Sequence, residues 1–182
     1  NGNALVGRLM LSLKDRKVPV WLNTPAEELV FENGRVTGVV VTKDGKPYRI
    51  EARKGVMLAA GGFDRNLAMR EKYGPKPASI EWTAGNEHNT GDGIQMGQKL
   101  GADVGFMDEA WWTPVTQFPG VKSGWVLVVE KSLPGNIFIN RNGDRFTNEA
   151  APYVDVVVAM YEDQKKTQNT VPGWMVFDAN YR

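Results

Sequence analysis

The sequence predicts an α/β fold that becomes α+β in its second part. The central observation is the stretch from Val56 to Phe63, an unbroken apolar run that shrinks to Ala-Ala-Gly-Gly. Such a run is typical of a strand buried on both faces of a parallel sheet. Small residues at the carboxyl end of the strand would let a ligand or another backbone approach closely, and a tight turn without a ligand is the alternative.

The segments before this run predict a helix followed by antiparallel strands. Apolar side chains recur at helical spacing over residues 4–16, which indicates an amphipathic helix. Residues 17–22 are typical of a short strand. Two turns of Asn-Gly and Asp-Gly type then separate three β-rich segments and predict a meander, because these dipeptides suit tight hairpins. The meander strands are expected near residues 28–31, 36–42 and 48–52.

The second part alternates short helices, strands and loops. We expect helices over residues 64–73 and 90–100, and a third with Pro152 at its first helical position and Val154, Val157, Val158 and Tyr161 on one face. A strand over 136–140 with a return strand over 145–147, and a last strand over 174–178, complete the pattern. The Pro-rich stretch 74–77 separates two predicted units, residues 1–75 and 76–182.

Composition excludes several function classes. The 182 residues are 42% hydrophobic and 24% charged, which is ordinary for a globular protein, and the net charge of +1 favours neither nucleic acid nor anionic membrane as a partner. The absence of cysteine excludes disulfides, thiol nucleophiles and thiolate metal sites, and a single histidine excludes a metal site with several histidine ligands. Without a signal peptide or an apolar run of membrane length, we expect a cytoplasmic protein. The start without Met suggests an excised piece of a longer protein.

The glycine-rich stretch Gly91-Asp92-Gly93 precedes a helix but is not a pyrophosphate loop. Polar residues stand where the dinucleotide-binding motif needs an apolar strand, and Asp92 would point a carboxylate at the phosphates. Two interpretations remain. The glycines allow a capped helix start with close packing, or Asp92 accepts a hydrogen bond from a neutral hydroxyl or amide of a cofactor.

Tyr153 follows Pro152 in the first turn of a predicted helix. The positive end of the helix dipole favours an anionic phenolate there, which suits a general base or a hydrogen-bonding acid. The alternative is a tyrosine that only packs its ring. Arg145, Asn148 and Glu149 lie just upstream and either orient this group or form the solvated face of a turn.

Trp111 and Trp112 adjoin a proline on chain without clear periodicity. Paired aromatic side chains on an irregular segment can line a pocket for a flat apolar ligand. Packing at a domain junction is the alternative.

Several stretches of the chain resemble one flavoprotein group. The run Val56 to Phe63, Thr90-Gly-Asp-Gly93 and Arg145-Phe-x-Asn-Glu149 are similar, in order and spacing, to the fumarate reductase/succinate dehydrogenase flavoprotein superfamily. Within it the chain more closely resembles the 3-ketosteroid Δ1-dehydrogenases, through Asp108 to Trp112, Ser132 to Gly135, Arg145 to Tyr153 and Trp174 to Arg182. The Asn-Glu-x-x-Pro-Tyr motif is the most specific part.

The resemblance implies an FAD-binding domain interrupted by a catalytic domain, with residues 1–75 a partial FAD-binding, Rossmann-like domain and 76–182 a partial catalytic domain. It implies that Ala60, Gly61 and Gly62 lie along FAD and that Asp92 contacts it. It also implies that Tyr153 removes the C2 proton of a small steroid-like substrate while the flavin takes hydride from C1. We place Trp111, Trp112, Asn148 and Glu149 in the predicted substrate pocket.

Departures from the family pattern keep alternatives open. The histidine near Thr113 and the arginine near Tyr153 that bind dicarboxylates in fumarate reductases are absent, so fumarate reduction is disfavoured. A related FAD-dependent reductase of another enone or ring ketone remains an alternative, as does an inert structural fragment. Because the N-terminal Gly-x-Gly-x-x-Gly unit is missing, we expect weak FAD binding by this chain alone and self-association through exposed edges.

Overall fold

The computed structural model describes residues 2–121 and 124–181, so Arg182 of the C-terminal motif lies outside the described residues. The chain forms two compact units, Asn1–Met57 and Leu58–Arg182. Helices and small sheets alternate, which confirms a mixed α and β protein. All strand pairs between the described strands are antiparallel. The division into FAD-binding and catalytic portions at residue 75 stays a prediction.

The first unit is a helix followed by a three-stranded meander, as predicted. Its elements are α1 (Gly2–Asp15), β1 (Ala26–Glu32), β2 (Arg35–Lys43) and β3 (Lys46–Glu51), with strand order β1-β2-β3. Asn33 and Gly34 have φ of 52° and 77°, and Asp44 and Gly45 have φ of 51° and 73°. Both turns therefore have the left-handed pairs that two-residue hairpins require.

The predicted strand over 17–22 is wrong. Residues 18–21 carry no regular secondary structure and pair with no described strand. The side chain of Trp21 is held instead by ring contacts, edge-on to Tyr48 at 5.4 Å between centroids and with Lys43 Nζ 3.9 Å from its own centroid. Contacts of the Trp21 side chain with the meander thus take the place of the backbone hydrogen bonds that a strand would have formed.

The predicted buried strand at Val56 to Phe63 is also wrong. Residues 55–63 have no strand structure, and the side chain of Met57 is 90% exposed. A strand persists only where neighbouring strands satisfy its backbone groups, and no described strand lies beside this segment. The segment is therefore apolar in composition, but residues 57–62 are exposed.

The described residues of the second unit form three helices, a 3₁₀ turn and two two-stranded sheets. Its elements are α2 (Leu67–Tyr73), α3 (Asp92–Lys99), β4 (Val115–Thr116), β5 (Trp125–Val126), the 3₁₀ turn Glu130–Ser132, β6 (Asn136–Ile139), α4 (Tyr153–Thr167) and β7 (Trp174–Phe177). α2 begins three residues later than predicted, because Asn66 caps it by accepting a hydrogen bond from the Met69 backbone N at 3.1 Å.

β6 pairs with β7 rather than with the return strand predicted over 145–147, where the structure has a single bridge between Ile139 and Arg145. The sheet packs on α4 through a core of Leu127, Phe138 and Val156, with Phe146, Ala151 and Met175 against it. Pro152 is the N-cap of α4 and not its first helical residue. Val157 of the predicted apolar face is buried, and Val154 and Tyr161 are half-buried. Val158 is 49% exposed, and Val156, which was not predicted, is buried in its place. None of the described helices is long and apolar enough to cross a membrane.

Candidate functional site

The structure brings the four predicted cofactor-binding residues together. The carbonyl oxygen of Gly62 accepts a hydrogen bond from the Gly91 backbone N at 3.0 Å. A Cβ placed on Gly93 would lie 3.5 Å from the Cβ of Ala60. The exposed backbone of residues 60–62 therefore runs directly beside the start of α3, where Asp92 is located.

Gly91 joins these two segments and has no room for a side chain. It is buried with φ of 82°, and a Cβ there would lie 2.5 Å from Met69 Sδ and 3.0 Å from Phe63 Cβ. Only glycine adopts this backbone conformation without strain while allowing so close an approach.

We expect Gly91→Ala to destabilise the protein by about 1–2 kcal/mol, because the new methyl group strains the left-handed backbone and displaces the Met69 side chain. The measurement is the free energy of unfolding from denaturant titration. Gly62→Ala is the matched control, since a Cβ on Gly62 meets no atom within 4 Å. Equal stability of the two variants would contradict the packing argument.

Asp92 presents an exposed carboxylate in the first turn of α3. Its Oδ2 accepts a hydrogen bond from Thr90 Oγ1 at 2.8 Å. A carboxylate at this helix end already offsets the positive dipole and disfavours a second anion such as a pyrophosphate. Together with the open backbone of residues 60–62, it fits a hydroxyl-bearing, uncharged part of FAD that donates a hydrogen bond.

Tyr153 is the first residue of α4 and is half-buried. The segment leading into it is ordered by Asn148, whose side-chain Oδ1 accepts from the Ala150 backbone N at 3.1 Å and whose carbonyl oxygen accepts from the Ala151 backbone N at 3.0 Å. The exposed Asn148 side chain therefore shapes the turn that presents Tyr153.

Glu149 lies within this segment and is 5% exposed. Its carboxylate accepts from Arg145 Nε at 3.1 Å and from the second guanidinium nitrogen at 2.6 Å, and also from the Phe138 backbone N at 2.7 Å. Burial raises the pKa of Glu149, but the Arg145 guanidinium and the Phe138 N–H lower it more, so the pKa lies below its ordinary value. Glu149 thus connects β6 to the entry of α4, and its predicted place in a substrate pocket stays a prediction.

The two adjacent tryptophan side chains have different environments. Trp111 is 89% exposed. Trp112 is half-buried and packs against Tyr161 of α4, with 6.5 Å between ring centroids. Tyr161 is eight residues beyond Tyr153, about 12 Å along the helix axis. The structure therefore places Trp112 against α4 and leaves the Trp111 side chain largely exposed.

One residue of this region, Lys131, was not singled out from the sequence. It is 2% exposed and its ammonium group contacts the segment that precedes α4. No sequence signal marks it, because an isolated lysine between polar neighbours is ordinarily solvated. An open groove of about 400 Å³, lined by the start of β6 and the end of β7, includes none of the predicted site residues. The Asp178 carboxylate at its edge accepts hydrogen bonds from the backbone N of Asn180 and Tyr181.

The chain is similar to known dehydrogenases along nearly its whole length. It is 43% identical to the 3-oxosteroid 1-dehydrogenase of Mycobacterium tuberculosis over its full length, and it covers 33% of that protein. It is 37% identical over 98% of its length to the 4-oxocyclohex-2-ene-1-carboxylate 5-dehydrogenase of Sinomonas cyclohexanicum, and it covers 31% of that protein. The chain therefore spans about a third of the length of these relatives.

A solved structure is also similar. The 3-ketosteroid Δ1-dehydrogenase of Sterolibacterium denitrificans, in complex with 1,4-androstadiene-3,17-dione, superimposes with a TM-score of 0.89 at 47% identity, over 93% of this chain and 31% of that one. The family model described as FAD binding domain matches residues 1–181. The chain belongs to this family of FAD-binding flavoproteins.

Proposed function

We propose that this chain is part of an FAD-dependent dehydrogenase that introduces a double bond between C1 and C2 of 3-oxosteroids. The observation that carries the proposal is Tyr153 at the first turn of α4, presented by a segment whose buried Glu149 is held by Arg145 and β6. The similarity to proteins named 3-oxosteroid 1-dehydrogenase supports the same substrate class.

Residues around α3 hold the cofactor in this proposal. The open backbone of Ala60, Gly61 and Gly62 accommodates FAD at close range, and the Asp92 carboxylate accepts a hydrogen bond from one of its hydroxyl groups. FAD, when bound, supplies the acceptor for the hydride that leaves C1.

Tyr153 provides the base. The hydrogens on C2 of a 3-oxosteroid are acidic because the adjacent C3 ketone stabilises the carbanion as an enolate. The phenolate oxygen of Tyr153 accepts the C2 proton, and the electron pair of that C–H bond forms the C1–C2 double bond as hydride departs from C1.

The apolar substrate agrees with side chains of the predicted substrate pocket. Trp111 exposes an indole ring that a flat apolar ligand would cover, and the Asn148 side chain is also exposed. A second candidate substrate is a ring ketone with a carboxylate, as in the name of the Sinomonas relative. The identity to the 3-oxosteroid 1-dehydrogenase of Mycobacterium tuberculosis is 43%, against 37% to the Sinomonas relative, and this difference favours the steroid.

The test is to purify the full-length parent and measure its flavin absorbance and its oxidation of a 3-oxosteroid with an artificial electron acceptor. We expect stoichiometric FAD and a product absorbing as the 1,4-diene-3-one. Flavin without steroid turnover, but with turnover of 4-oxocyclohex-2-ene-1-carboxylate, would favour the second candidate. A parent without flavin would contradict the proposal and favour a structural module.

Two further expectations belong to the same proposal. A cytoplasmic location and self-association of the isolated chain both follow from sequence. The many exposed apolar side chains, among them Met57, Phe106 and Trp111, support self-association, which sedimentation of the isolated chain would measure.

A further inference from the structure

Lys131 is a buried cation that donates hydrogen bonds to two backbone carbonyl groups and to one side-chain hydroxyl. It lies in the 3₁₀ turn Glu130–Ser132 and is 2% exposed. Its Nζ donates to the carbonyl oxygen of Glu149 at 2.9 Å, to Ser132 Oγ at 3.3 Å and to the carbonyl oxygen of Ala151. All three donors of the ammonium group are therefore engaged.

The ammonium group has no carboxylate partner in residues 2–121 and 124–181, where none of the ion pairs within 4.0 Å includes it. The carboxylate of Glu149 points instead to Arg145 and to the backbone N of Phe138. Burial lowers the pKa of Lys131, which reflects the cost of placing a charge where water is excluded. An apolar side chain would avoid this cost, so the distinctive contribution of lysine here is its set of hydrogen bonds.

These hydrogen bonds hold the segment that leads into α4. Ala151 is two residues before Tyr153, and Pro152 between them is the extended N-cap, with ψ of 140°. The backbone of Glu149 and Ala151 is held by Lys131, while the Glu149 side chain is held by Arg145 and β6. The segment that leads into α4 is therefore held through its backbone by Lys131 and through the Glu149 side chain by Arg145 and β6.

We infer that Lys131 is a positioning residue for Tyr153, acting through the carbonyl groups of Glu149 and Ala151. This inference rests on the proposed function, in which Tyr153 accepts the C2 proton. Lys131 itself contacts neither substrate nor cofactor in this account. Its role is to fix the direction in which the first turn of α4 presents the phenol.

The test uses Lys131→Met in the full-length flavoprotein, since methionine keeps most of the length and removes all three donors. We expect kcat for 3-oxosteroid oxidation to fall about 10–100-fold, because a misplacement on the order of 1 Å of a catalytic group has that effect. KM and the flavin absorbance are expected to stay within about twofold, since neither binding site contains Lys131. Lys166→Met, which removes an exposed lysine of α4, is the control and is expected to leave kcat unchanged.

A double variant separates positioning from general destabilisation. If Lys131 acts through Tyr153, adding Lys131→Met to Tyr153→Phe produces no further loss of kcat, whereas an additive loss would overturn the inference.

A second variant covers the case in which Lys131→Met does not fold. Lys131→Gln keeps an amide donor, and its kcat is expected to fall by a smaller factor. Wild-type kcat in the variant that folds would overturn the inference. If Tyr153→Phe is inactive while Lys131→Met is fully active, only this inference fails, and if Tyr153→Phe is active, the proposed mechanism fails with it.

Discussion

Tyr153→Phe in the full-length flavoprotein is expected to reduce the turnover of 3-oxosteroids by about 10²–10⁴-fold, the range that positioned acid–base groups contribute. Phenylalanine keeps the ring and removes only the oxygen that accepts the C2 proton. The loss should appear in kcat and in kcat/KM alike, because the interaction is made in the transition state. Steady-state kinetics with an artificial electron acceptor measure it.

Tyr161→Phe is the matched control for this experiment. Tyr161 lies on the same helix, and its hydroxyl donates to the carbonyl oxygen of Pro77 at 3.1 Å. Its loss removes one structural hydrogen bond and should leave most of the turnover. The flavin absorbance of both variants should match the wild type. Turnover unchanged by Tyr153→Phe would exclude this tyrosine as the base.

Glu149→Gln is expected to lower the free energy of unfolding by about 2–4 kcal/mol, since it breaks charge-assisted hydrogen bonds at a buried carboxylate. This loss of unfolding free energy lies in the lower part of the range for breaking buried ion pairs, because the Arg145 side chain is 54% exposed. The glutamine can still accept from the Phe138 backbone N or from Arg145, but it carries no charge. Denaturant titration gives the difference.

The pH dependence of the same variant provides a second readout. The folded pKa of Glu149 lies below its ordinary value of 4.5, so the unfolded chain binds the proton first on acidification. The stability that the carboxylate contributes is present above pH 4.5 and is lost as the pH falls through the folded pKa. The stability difference between wild type and Glu149→Gln should therefore shrink below pH 4.5.

Glu162→Gln is the control, because Glu162 is an exposed partner of Lys165 at 2.7 Å on the surface of α4. Exposed pairs contribute little, so stability should be nearly unchanged. If Glu149→Gln and Glu162→Gln had the same effect, the connection between β6 and the start of α4 would not be structurally important.

Features encoded within a few neighbouring residues could be predicted from the sequence. The two hairpin turns of the first unit follow from Asn33-Gly34 and Asp44-Gly45, because these residues adopt positive φ at low cost. α1 and α4 follow from helical spacing of apolar residues and, for α4, from Pro152 before its first turn. Local chemistry alone is sufficient for elements of this kind.

Predictions that depended on distant partners were less successful. The apolar run at Val56 to Phe63 has strand composition but no described neighbour to pair with. Residues 145–147 were expected to return along β6 as a strand, but they form only a bridge from Arg145 to Ile139, and β6 pairs instead with β7. Strand pairing is decided by which segments meet in space, and a single segment does not contain that information.

The candidate site divides in the same way. Motifs alone identified Tyr153, Asp92 and the backbone of residues 60–62, because the chemistry of these groups and their place at helix or segment ends can be read along the chain. Only the tertiary structure showed that Gly62 contacts Gly91, that Glu149 is a buried link to β6, and that Lys131 holds the entry to α4. Each of these contacts joins residues 11 to 29 positions apart in the sequence. A charged side chain loses its water and needs hydrogen-bond partners only when it is buried, and burial arises only when the chain packs.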